Sequence, residues 1–299
     1  MCYNRHSITI TCLRNKMKIL LNIKIPLYLV ILLTGLTLSK INNLYAEENV
    51  DQKFQGFQLH GYDDNGNKSW EVKGDTADIV GTKVKLSNVD ANTYNENKMN
   101  VKAETGIIDQ SSGNMRLEDD VVITTEDGTQ LKTDHIDWKR DDDLVSTDDK
   151  VVLSDKRITV VGKGMEARPG LKTAQIKTDV KVKVNTTPDK KIKKFVTITC
   201  DGPLEIDQRM AVAVFNNNVV AIQDEQQLKA DKIEVFFDPD MKSIKKMICS
   251  GNVEITQKEN KTFAEQAVYD AITKKITLSG RPKLILQTEG ENAITHIGN

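Results

Sequence analysis

Aromatic residues make up only 5% of this 299-residue sequence, with two tryptophans. Sugar-binding surfaces rely on exposed aromatic rings, so a dedicated carbohydrate-binding face is disfavoured. Histidines are few, four in all. His6 lies in an N-terminal leader and His296 in a polar tail, while His60 and His135 have no HExxH or CxxC partner nearby. Both read as structural or surface residues, and no metal site or cofactor is expected. An excess of charge of one sign is also missing: 42 basic and 43 acidic residues give −1. Nucleic-acid binders carry a basic excess or patch, so no nucleic-acid partner is expected. After residue 50 no stretch sustains a helical period with caps.

The carboxylates that are present do not assemble into a catalytic set. Asp63-Asp64-Asn65-Gly66-Asn67 has the opening of a calcium loop but lacks the acidic ligand that closes one, and it reads as a hairpin turn. Asp141-Asp142-Asp143 and Asp148-Asp149 are solvated loop clusters. Paired carboxylates can hydrolyse glycosides, but no aromatic platform accompanies these. The chain is therefore not expected to be an enzyme.

The N-terminus differs from the rest. Lys16, Lys18 and Lys24 precede the apolar run from Ile25 to Leu38, as the basic and apolar regions of a secretory signal do. The run falls short of the ~20 residues of a membrane helix; extended back to Ile19, it takes in Asn22 and Lys24. Ala46 before Glu47-Glu48 is a cleavage candidate, although Leu44 is large for its position. Residues 1–46 read as a leader with a signal peptide or a membrane anchor, and Met17 offers an alternative start. The body from Glu47 is exported.

That body repeats itself. Ala103-Glu104, Thr133-Asp134, Gly162-Lys163 and Ala264-Glu265 are each followed, 17 residues after the first member, by Asp120-Val121, Lys150-Val151, Asp179-Val180 and Arg281-Pro282. Ala230-Asp231 reaches Asn252-Val253 after 22, with the extra length around Asp238-Pro239-Asp240. Gly74-Asp75 to Asn88-Val89 is a shorter copy, and Asn218-Val219 a partial one. Within each unit apolar and polar residues alternate, which puts one set on each face of a sheet. Asn65-Gly66, Ser112-Gly113 and Asp127-Gly128 supply hairpin chemistry. The expected fold is all-β, antiparallel and repetitive; a two-strand unit cannot bury its apolar face alone, so copies must stack.

The pattern A-[DE]-x-x-x-[YVW]-[DF] followed by G-N-V-x-[IV] resembles the OstA-like repeat of the lipopolysaccharide-transport family. Residues 202–280 carry it as GPLEID, AVFNNNVVAIQ, LKADKIEVFF, CSGNVEITQ, AEQAVYD and ITLSG, and are similar to LptA. Residues 54–185 instead resemble LptC, through Gly56-Phe57, Gly61-Tyr62, Lys68-Ser69-Trp70-Glu71-Val72, Ala77-Asp78, Asn114-Met115-Arg116-Leu117 and Val160-Val161-Gly162-Lys163-Gly164-Met165-Glu166. In that family the two are commonly separate chains; here they are joined. The resemblance implies two stacked folded-over β-jellyroll units: an LptC-like unit over 47–185 and an LptA-like unit over 196–288. A polar linker at 186–195 joins them, and a polar tail occupies 289–299. The linker lysines read as solvated, with a lipid-phosphate patch as the alternative.

The resemblance also implies a function. The interior would shelter acyl chains of lipopolysaccharide, against candidate lining residues Leu117, Val121, Ile123, Leu131, Ile136, Trp138, Ile233, Val235, Phe237, Val253, Ile255, Ile276 and Leu278. Alternation alone fits an ordinary closed core equally well. Terminal strands would offer edges for β-augmentation. Phe54, Phe57 and Leu59 would face an inner-membrane Lpt ABC transporter, whose ATPase supplies the energy. Leu284 and Leu286 would face another bridge unit or the outer-membrane translocon. The location is the periplasm, with anchoring to the inner membrane open. Cys200 and Cys249 sit in related frames. An exported compartment permits a disulfide between them, but strands two apart lie ~9.6 Å apart, beyond bridging reach. Rival readings are a repetitive β-solenoid adhesin or polysaccharide-binding module, and a periplasmic hydrolase on a β scaffold.

Overall fold

The computed structural model describes residues 52–63, 65–94, 98–186, 194–239 and 243–287. The leader or anchor at 1–46, the tail at 289–299 and most of the linker lie outside the described residues. The first unit contributes β1 (Gln52–Tyr62), β2 (Lys68–Val80), β3 (Lys83–Thr93), β4 (Met99–Asp109), β5 (Met115–Thr125), β6 (Gln130–Lys139), β7 (Leu144–Ser154), β8 (Ile158–Arg168) and β9 (Thr173–Asn185). The second contributes β10 (Phe195–Cys200), β11 (Leu204–Asp207), β12 (Val212–Gln223), β13 (Gln226–Phe237), β14 (Ile244–Gln257), β15 (Asn260–Asp270), β16 (Lys275–Ser279) and β17 (Lys283–Ile285). Among the described residues the one helical element is a 3-10 turn at Pro169–Leu171, and no helix is long and apolar enough to cross a membrane.

The strands form an antiparallel meander in which each pairs with the next. β10 and β11 act as one interrupted strand, both lying between β9 and β12. β16 and β17 do the same against β15. Pairing of β9 with β10 and β11 carries the sheet without a break from the first unit into the second.

Each long strand folds near its middle, and the repeat is the signature of that fold. Asn88, Asp120, Asp179, Asn218 and Asn252 all have positive φ. Asn and Asp tolerate this left-handed conformation better than other side chains. Register shifts accompany the bends, between Glu118 and Val121, Asn216 and Val219, and Ser250 and Val253. Extra residues on one strand turn it sharply. The valine after each bend pairs with a small residue on the next strand: Val89 with Ala103, Val121 with Thr133, Val151 with Gly162, Val219 with Ala230, and Val253 with Ala264. The 17-residue spacing is therefore one bend to the next, by way of a hairpin. On the outside of the crease Asn252 Nδ2 donates to Asp231 Oδ2 at 2.9 Å, and Asn88 donates to Asp75 in the same way.

Folding every strand at its middle lays the two arms of the sheet over one another. Side chains on the inner faces then meet, and the valines at the crease are the most enclosed: Val219 is 0% exposed and Val121, Val151 and Val253 are 1%. The core is one cluster running from Trp70 on β2 to Ala267 on β15.

Candidate functional site: an apolar interior between the two arms of the sheet

The inner face carries a single row of paired side chains across both units. It runs Ile79, Val84, Ile108, Met115, Trp138, Val145, then Ala167 and Ala174. It continues through Ile206, Ala213, Val235, Met247, Tyr269 and Ile276. No charged residue stands in this row, because the alternation of these strands puts an apolar side chain at each of its paired positions.

Burial along the interior is uneven. Leu117, Val121, Ile123, Leu131, Ile136, Trp138, Ile233, Val235 and Val253 are each buried. Phe237, Ile255 and Leu278 are half-buried against the core. Ile276 departs from the expectation of an enclosed position: it is 59% exposed. It shares a face with Leu278 and pairs with Tyr269, but no later strand among the described residues covers it. Leu284 and Leu286 beyond it are exposed for the same reason, and so are Phe54 and Leu59 on β1, where Phe57 is half-buried. Phe54, Phe57 and Leu59 pair with Ala77, Gly74 and Val72, so they lie on the inner face. The interior is most enclosed along its middle strands, and among the described residues nothing covers the apolar side chains of the first and last strands.

The sequence leaves the pairing of the cysteines open. Cys200 and Cys249 are free and buried. β10 and β14 are separated by β12 and β13, about 14 Å at sheet spacing, and the two residues approach the crease from opposite arms. Burial raises both thiols, Cys249 to about 11, which makes them poor nucleophiles.

The outer face holds the charges. Arg116 grips Asp137 with one nitrogen at 3.0 and 2.8 Å, and Lys177 bridges Asp148 at 2.9 Å and Glu166 at 3.0 Å. His135 sits between Asp149 and Asp137. Sequence reasoning missed Glu71, an outward residue that is nevertheless buried under Lys68, Lys73, Tyr94 and Gln58. Hydrogen bonds hold the carboxyls of Glu71, Asp148, Glu254 and Asp270 below their ordinary range, led by Lys68, Lys177, Lys261 and the Thr273 amide respectively. Such carboxylates stay ionised near neutral pH and are not set up as general acids. Among the described residues no group of three or more His, Cys, Asp or Glu is placed to hold a metal ion.

Against known proteins, the family model described as "Lipopolysaccharide-assembly, LptC-related" matches residues 27–185, more than half of the chain. The chain belongs to this LptC-related family. A second model, "LptA/(LptD N-terminal domain) LPS transport protein", matches residues 197–295. The two matches fall on either side of the β9–β10 junction and make the chain an LptC-like and an LptA-like unit of lipopolysaccharide transport in one polypeptide. A similar solved structure is that of LptH, the LptA homologous periplasmic component of the lipopolysaccharide transport device from Pseudomonas aeruginosa. The match has 14% identity, covers 64% of this chain and 95% of that one, and has a TM-score of 0.20; it adds nothing to the assignment. No curated protein matches the chain.

Proposed function

We propose that this LptC–LptA chain carries lipopolysaccharide across the periplasm by sheltering its acyl chains between the two arms of the folded sheet. The observation that carries the reading is the single apolar row that crosses both units from Ile79 on β2 to Ile276 on β16 without a charged residue, with exposed apolar side chains on the inner face of both terminal strands. Each methylene taken out of water contributes ~0.8 kcal/mol. Most of the middle of the interior is packed with its own side chains, with a cavity of about 330 Å³ at the junction lined in part by Ala167, Ala174 and Ile206, so an entering chain replaces contacts between the arms with contacts to itself.

Among the described residues both terminal strands have a free edge, and β-augmentation is the mode of assembly they fit. β1 receives the inner-membrane Lpt ABC transporter, with Phe54, Phe57 and Leu59 continuing the apolar lining into it. β16 and β17 receive a further bridge unit or the outer-membrane translocon, with Ile276, Leu284 and Leu286 at the seam. The chain hydrolyses nothing itself; the partner ATPase drives transport. The segment at 1–46 either anchors the chain in the inner membrane or is removed on export. The adhesin reading finds no support in the family match.

The test is site-specific photocrosslinking in cells, with the crosslinker at Ile136, Phe237 and Ile255 and at the exposed controls Lys132 and Lys258. Lipopolysaccharide adducts at the three apolar sites and none at the controls are expected. A folded protein without adducts at any site would mean a closed core and sink the carrier reading.

A further inference from the structure

Because each strand folds at its middle, the hairpins lie in two rows, one along each lip of the interior. On one lip the chemistry changes partway along the molecule. The first three turns of this lip are polar: Gly81-Thr82, Gln110 to Asn114, and Arg140 to Asp143. From the β8–β9 hairpin onward each of the four remaining hairpins presents, among its described residues, one large exposed apolar side chain: Leu171 at 48%, Met210 at 72%, Ile244 at 47% and Ile272 at 82%. Val80, at the end of β2, is the one other large exposed apolar residue on this lip among the described residues. Beside the four stand exposed basic residues, Lys172, Arg209, Lys245 with Lys246, and Lys274 with Lys275.

The fold does not need these apolar tips. Asp207 accepts from the amides of Arg209 and Met210, and Asp270 from those of Ile272 and Thr273. Asp109 makes the same turn in the first unit by accepting from the amides of Ser111 and Ser112. One turn chemistry thus serves both, with serine at the tip in one place and Met or Ile in the other. A turn that tolerates serine does not explain a methionine left mostly in water. Asp207 and Asp270 stay charged, Asp207 pairing with Arg209 at 3.7 Å and Asp270 feeling the charge of Lys246, while Lys172, Lys245, Lys274 and Lys275 stand exposed around them. At two strands per hairpin the four tips span roughly 29 Å.

We infer that this lip binds the phosphorylated head region of the lipid whose chains lie in the interior, lysines against phosphate and apolar tips against the first carbons of the chains. The inference rests on the carrier reading above. It commits to the cargo lipid because the tips border the interior and its apolar lining; a bilayer surface is the competing source of the same chemistry.

The test titrates the full-length protein with diphosphoryl and with monophosphoryl lipid A. Two variants are compared with wild type: Lys245→Gln, Lys246→Gln, Lys274→Gln, Lys275→Gln together, and Met210→Ser with Ile272→Ser. All six positions are exposed, so folding is retained. Wild type is expected to favour the diphosphoryl form by about fivefold, the scale of one good exposed ion contact. The lysine variant should lose that preference, and the tip variant should bind both forms several-fold more weakly. An unchanged preference in the lysine variant overturns the inference while leaving the carrier reading intact. So does an effect confined to sedimentation with phosphatidylglycerol vesicles, which would assign the lip to a bilayer. Failure of wild type to bind either lipid refutes the carrier reading and the lip with it.

Discussion

Replacing Gly251 with alanine tests whether the repeat encodes the crease. Gly251 has φ +75°, and a Cβ there would lie 2.3 Å from Asp231 Oδ2 and 2.9 Å from both Asp231 Cβ and Cγ. Rotating the side chain away relieves the contacts to Oδ2 and Cγ but not the one to Cβ, which is fixed to the backbone. The left-handed conformation costs an alanine about 1–2 kcal/mol, and displacing Asp231 from Asn252 costs about 1 kcal/mol more. Gly251→Ala should therefore destabilise by ~2–3 kcal/mol. With a urea slope of about 3 kcal/mol/M for a chain of this size, the midpoint should fall by about 1 M. Gly66 is the matched control, with φ +78° and nothing within 4 Å of an added Cβ, so Gly66→Ala should carry the conformational cost alone. In an Asp231→Gly background, which removes the Cβ together with the carboxylate, the cost of Gly251→Ala should drop to that of the control, a coupling of ~1 kcal/mol. Equal shifts for Gly251→Ala and Gly66→Ala, with no coupling to Asp231, would refute the crease argument.

Ile233 is 1% exposed and Ile276 59%; Ile233→Ala should cost ~2–5 kcal/mol in urea denaturation, whereas Ile276→Ser should stay within about 1 kcal/mol yet reduce lipopolysaccharide crosslinking at Ile255. Cys200 and Cys249 should resist a thiol reagent in the native protein and react on denaturation, and reductant should leave electrophoretic mobility unchanged; a mobility shift would restore the disulfide. Glu71 has a lowered folded-state pKa. Its contribution to stability is present above the ordinary carboxyl value near 4.5 and is lost as pH falls toward the folded value. The stability gap between wild type and Glu71→Gln should narrow from pH 7 toward pH 3, and a constant gap would count against the buried ion cluster.

Much of this was legible because β-structure writes its facing directly into alternation. Leu117, Val121, Ile123, Leu131 and Ile136 could be named as inward from period two alone, and the spacing from Ala103 to Asp120 located two successive bends. Asn65-Gly66, Ser112-Gly113 and Asp127-Gly128 all fall in turns. What escaped depends on neighbours that no local pattern records. Ile276 alternates as an inward residue should, and its exposure comes from the lack of a following strand over it. Glu71 alternates outward, and its burial comes from Lys68, Lys73 and Tyr94 closing over it. Cys200 and Cys249 share a local frame, but one strand enters the crease from each arm. The basic, apolar lip is spread over four hairpins that only the fold aligns.

One interior continuous from the LptC-like to the LptA-like unit requires an open passage at their junction, and a bulky side chain there would plug it. Ala174 on β9 faces inward and pairs with Ile206 across the junction. In a folded Ala174→Trp variant, the account predicts that lipopolysaccharide adducts persist at Ile136 and disappear at Phe237. Undiminished adducts at Phe237 would contradict it, since lipid would then be reaching the second unit by a route that does not pass through the shared interior.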